Sequence, residues 1–163
     1  MKSIIRINTT APVRAKTAAL AAALAPLLVA APCWAALGGS AASVSADGAA
    51  LNAQVRVTST VQYDVHEITH DGLTVHEYVT PQGQVFAITW QGPFKPDLRQ
   101  LLGDYFSRYQ SAAGAVTRAG KHRVFAVNTT DLVIESAGHL RAFQGLAYIP
   151  SLVPSGVSVS QLP

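Results

Sequence analysis

The sequence predicts an α+β domain in which antiparallel β-meanders flank, and pack on, one central amphipathic helix. Three observations carry this expectation. Over 60–80, apolar and polar residues alternate with period two on either side of Asp71-Gly72, a dipeptide suited to a type I′ hairpin because both of its central residues need positive φ. Over 98–109, Leu98, Leu101, Leu102, Tyr105, Phe106 and Tyr109 recur at the spacing of one helical face. From His122 a second β-rich set follows, HRVFAV, LVIES and HLRAFQGLAYI, punctuated by turn residues.

With Asp71 and Gly72 as a two-residue loop, His70 lies opposite Leu73, His66 opposite Glu77, and Glu67 opposite His76. A second turn, Pro81-Gln82-Gly83, fits a three-residue loop that places Thr80 opposite Gln84 and Tyr78 opposite Phe86. On that register Tyr63, Val65, Tyr78, Phe86, Ile88 and Trp90 form the face the helix covers. The other face carries Asp64, His66, Ile68, Val75, Glu77, Val79, Val85 and Ala87. Pro96 suits the first helical position, with Asp97 next to the positive helix terminus. The helix then runs to about Tyr109 or Ser111, and Gly103 at the edge of its apolar arc marks a close backbone approach. Residues 111–122 read as a loop, 128–131 and Ala137-Gly138 as turns, and 151–163 as an irregular tail. Residues 36–59 read as a linker, with Ser45 able to cap a short helix over 45–51.

Read whole, the chain has twelve Lys and Arg against nine Asp and Glu. Four of the cations, Lys2, Arg6, Arg14 and Lys16, precede the apolar block AALAAALAPLLVAA at 18–31. That block falls short of the ~20 residues a membrane span needs, and Pro26 interrupts it, so 1–35 reads as a cleaved secretory signal cut after Ala35. The remainder has eight cations against nine acids, which removes the case for a nucleic-acid partner. Cys33, the one cysteine, lies in the leader, so the mature domain from 36 has no disulfide and no thiolate ligand. Its stability rests on packing.

HEYVTPQGQVFAITWQGPFKPDLRQLLG at 76–103 and GHLRAFQGLAYIP at 138–150, following a leader that ends near Ala36-Leu37-Gly38-Gly39, resemble a family of secreted proteobacterial proteins that share a domain of unknown function. The resemblance implies bacterial origin and export to the periplasm or beyond. It carries no activity, cofactor or catalytic residue.

The densest ionisable group is His66, His70 and His76 with Asp64, Glu67, Asp71 and Glu77. A shared metal is disfavoured, because His66 and His70 lie four strand residues apart, roughly 13 Å, whereas a zinc-bound nitrogen is ~2 Å from the ion. Two cross-strand pairs, Glu67 with His76 and His66 with Glu77, account for the cluster structurally. The predicted register puts Glu67 and His76 on the apolar face beside Ile88, where a buried pair is either a poised acid and base or a satisfied polar link. Glu135 and His139, flanking the Ala137-Gly138 turn, repeat the pattern. The aromatic residues are chiefly core, with Trp90, Phe94 and Tyr105 as the binding candidates if exposed. No P-loop, G-x-G-x-x-G or G-x-S-x-G motif is present, and no cofactor is indicated. The expectation is a non-enzymatic exported domain that binds a protein or small ligand. The alternative is a small periplasmic hydrolase using His76 and Glu67.

Overall fold

The computed structural model describes residues 36–42, 44, 53–115 and 124–162. The leader and its cleavage bond, the helix predicted over 45–51 and the end of the loop predicted over 111–122 lie outside these residues. Seven strands are present: β1 Gln54–Ser59, β2 Asp64–His70, β3 Leu73–Val79, β4 Val85–Gly92, β5 Val124–Asn128, β6 Val133–His139 and β7 Ala142–Tyr148. All pair antiparallel in one sheet of order β1-β2-β3-β4-β7-β6-β5. β1 falls in the stretch whose composition reads as a linker, and Gly38 to Ala41 of the same stretch bond to the chain entering β4, with Ser40 in an isolated bridge to Gln84. Gly38 N donates to Val85 O, Val85 N to Gly39 O and Ala41 N to Gly83 O.

The helix-centred α+β class is therefore corrected to an antiparallel sheet with a minor helical cover. Asp97 caps α1, Leu98–Leu102, by accepting from Arg99 N at 2.8 Å. A 3-10 turn at Gly103–Tyr105 then breaks the path before α2, Phe106–Ala115. The apolar arc exists, since Leu98, Leu101 and Leu102 are buried while Tyr105, Phe106 and Tyr109 are half-buried. It does not organise the domain. The two meanders join directly along β4 and β7, from Ala87 opposite Tyr148 to Gly92 opposite Phe143, and this seam leaves the helices to cover one face. The close approach at Gly103 is to Ala36 and not to a strand: a Cβ on Gly103 would sit 2.5 Å from that of Ala36, and its φ is +48°.

The Asp71-Gly72 hairpin has the expected register, with φ of 49° and 82° at the two loop residues. The next turn also closes Thr80 on Gln84, through Thr80 N to Gln84 O at 2.8 Å. Beyond it the expected register fails. Tyr78 faces Ala87 while Val79 faces Val85, so Phe86 is an extra residue in β4. This bulge exchanges the two faces. Ile88 and Trp90 align with Glu77 and Val75, on the side that packs with Leu98, Leu101 and Leu102. Tyr78 and Phe86 lie on the opposite side with Tyr63 and Val65, where Leu152, Val153, Val157 and Leu162 of the tail cover them. The tail has two short 3-10 turns, Pro150–Leu152 and Val159–Gln161. It closes the second core.

Candidate functional site

The tail covers one part of the face opposite the helices. Across the rest, strand pairing aligns alternate side chains into rows: Thr74 beside Gln91 and Gln144, and His76 beside Thr89, Leu146 and Glu135. Alternation in the strands dictates this, because residues flanking the buried Ile88, Trp90 and Ala147 must point the other way. The rows floor a cavity of about 810 Å³ that Pro93, Arg141 and Leu162 also reach. Its polar side chains are hydroxyls, amides, one imidazole and a carboxylate and guanidinium of opposite sign, and Trp90, Pro93, Phe143, Leu146 and Leu162 add apolar surface among them.

Around His76 and Thr89 of this floor, Glu67 Oε2 lies 3.4 Å from His76 Nε2, Thr89 Oγ1 lies 3.4 Å from His76 Nδ1, and the OH of the buried Tyr78 lies 3.3 Å from Thr89 Oγ1. These are long contacts. The bulge places Glu67 and His76 on this open face and not beside Ile88, and their side chains retain 40% and 22% exposure. The two imidazole nitrogens of His76 face the Glu67 carboxylate on one side and the Thr89 hydroxyl on the other, an order in which an imidazole can take a proton from a hydroxyl. Thr89 is the one hydroxyl in line with that imidazole. The backbone N–H groups of β4 are committed to β3 and β7, which leaves no strand amide pair to stabilise an oxyanion at Thr89.

His66 and Glu77 also pair across β2 and β3 as expected, but on the face the helices share. Both are buried, at 8% and 1% exposure. Burial pushes the His66 pKa below its ordinary value, against the opposing pull of Asp64. The neutral imidazole is thus the form that fits the fold. Stability from this group is complete above its unfolded value of 6.5 and is lost as pH falls below it, because the unfolded chain takes up the proton first. Denaturant midpoints should therefore decline as pH falls from 7 toward 5, and His66→Phe should flatten that decline. Equal slopes in the two proteins would contradict a neutral buried His66.

The aromatic candidates occupy separate places. Trp90 is 2% exposed and packs against Gly145, with its indole Nε1 buried and without a hydrogen-bond partner among the described residues. Tyr105 is half-buried on the 3-10 turn under the Arg108 guanidinium, 5.1 Å from its ring centre. Phe94 is 41% exposed. The structure does not bring the three together. Glu135 and His139 do not pair either: they face Leu146 and Ala142, since the turn is at Leu140-Arg141 and not Ala137-Gly138. Among the described residues, no group of three or more His, Cys, Asp or Glu could hold a metal ion, and no helix is long and apolar enough to cross a membrane.

The floor residues Thr74, Thr89, Gln91 and Gln144 escaped the sequence reading, and Glu135 was read only as a partner for His139. Thr89 and Gln91 show the polar half of a period-two strand, yet their partnership with Gln144 exists only once β7 lies beside β4. Comparison with known proteins gives a match to a family model described as a protein of unknown function (DUF2844), over residues 33–162. No curated protein and no solved structure matches the chain.

Proposed function

Because the chain belongs to the DUF2844 family, whose description assigns no activity, we propose from its geometry that it is an exported, non-enzymatic domain that binds a neutral, polar ligand on its open sheet face. The observation that carries this reading is the row of Thr74, Gln91 and Gln144 in a cavity of about 810 Å³ on a seven-stranded sheet. Side-chain amides and hydroxyls offer donors and acceptors together, and Glu135 and Arg141 balance in charge. A strongly charged ligand gains little from such a surface. The leader supports export, and the commitment of the β4 amides beside Thr89 to strand pairing, which leaves none to hold an oxyanion there, favours binding over hydrolysis.

The test is a titration of the isotope-labelled mature protein with neutral oligosaccharides and with uncharged peptides, read at the side-chain amides of Gln91 and Gln144. The expected result is a saturable shift of both amides with one ligand class, weakened about 5- to 30-fold by Gln144→Ala, the cost of one lost hydrogen bond. Shifts confined to other surfaces, or none at millimolar ligand, would remove the groove as the site. Turnover of any ligand that disappears in His76→Gln while binding persists would establish the hydrolase instead.

A further inference from the structure

The segment just after the predicted cut is built into the fold. Leu37 is 2% exposed and donates its N–H to Leu101 O at 2.9 Å, at the end of α1. Ser40 bridges Gln84 at the start of β4. Ala36 rests on Gly103, the residue at which the helical path breaks, and no larger residue fits there without displacing it. A cavity of about 660 Å³ opens beside this contact, lined by Ala36, Gly103, Asp104, Tyr105, Arg108 and Gln84 among others. Asp104 is the sole acid among its lining residues, and Arg108 there is already paired with Asp131. Asp104 itself has no ion-pair partner among the described residues.

We propose that cleavage of the Ala35–Ala36 bond creates an α-ammonium group that is a working part of the folded domain, seated in this cavity against the Asp104 carboxylate. This rests on the export reading above. The step is a hydrolysis by an endopeptidase of the export machinery: water supplies hydroxyl to the Ala35 carbonyl carbon, the C–N bond breaks, and the Ala36 nitrogen leaves as an amine that is protonated at neutral pH. The new cation arises at the edge of a cavity among whose lining residues Asp104 is the one acid. A leader still attached puts an uncharged amide at that position and leaves Asp104 unmatched. Processing thus completes the fold at its first residue.

The experiment expresses the full chain, leader included, in an exporting bacterial host and measures the intact mass of the recovered protein. A single species beginning at Ala36 is expected. Acylation of its α-amine by a limiting amine-reactive ester near neutral pH should then be about 3- to 10-fold slower than in Asp104→Asn, since a neighbouring carboxylate holds the amine protonated. Asp104 is exposed, and its replacement by asparagine keeps the shape of the turn. Exported protein beginning elsewhere, or carrying lipid on Cys33, would overturn this inference alone. Equal acylation rates in the two proteins would do the same. A chain retained in the cytoplasm with its leader intact would overturn the export reading as well.

Discussion

Gly145→Val should destabilise the domain by about 3 kcal/mol, the upper end of what overpacking a core costs. A Cβ built on Gly145 comes within 2.1 Å of Trp90 Cζ2 and 2.7 Å of the Glu135 carbonyl oxygen. Neither neighbour can yield cheaply. The indole is 2% exposed within the core shared with the helices, and the carbonyl belongs to β6, the strand paired with Gly145. Valine adds two further methyl groups in the same direction. Urea melts followed by Trp90 fluorescence would measure the loss, with Trp34 removed alongside the leader to leave a single reporter. A change below ~0.5 kcal/mol, the usual range for an uncrowded surface site, would mean that the indole has another place to go.

Phe86→Ala should cost about 3 to 5 kcal/mol. Phe86 is fully buried, with its ring centre 5.9 Å from that of Tyr63 and 6.1 Å from that of Tyr78. Truncation empties the middle of the cluster that the C-terminal tail covers. The bulge itself should survive, because the Phe86 carbonyl accepts from Ile149 N at 2.9 Å irrespective of the side chain. Chemical denaturation of the variant, with amide exchange read at the tail, separates the two effects: lower global stability, with Leu152 to Leu162 losing protection first. A loss under ~1 kcal/mol would show that the second cluster is not a core.

The same residue shows where sequence reasoning stops. The Asp71-Gly72 hairpin was legible because its register follows from two residues that accept positive φ, and His66, Glu67, His76 and Glu77 landed opposite the expected partners. Phe86 was not, because one extra residue between Val85 and Ala87 leaves an apolar run that reads equally well in either register. That single slip left Ile88 and Trp90 under the helices as expected but put Tyr63, Val65, Tyr78 and Phe86 on the opposite face, with Glu67 and His76 beside them and His76 lining the groove. β1 went unread for a different reason: all six of its residues are exposed, so no burial pattern marks it. The groove depends on β4 meeting β7, a pairing between strands far apart in the chain that no local signal encodes.

That seam also has a consequence for synthesis. Four strands, β1 to β4, can pair as soon as they emerge, yet the strand that flanks β4 on its other side is β7, the last in the sequence. Until it arrives, the most buried strand of the finished domain is an edge, with unpaired backbone groups beside Ile88 and Trp90. A polypeptide that leaves the ribosome or a translocation channel N-terminus first therefore passes through a stage in which its centre is its most adhesive surface. Chaperone protection during that interval matters more for this topology than for a meander whose strands pair in order.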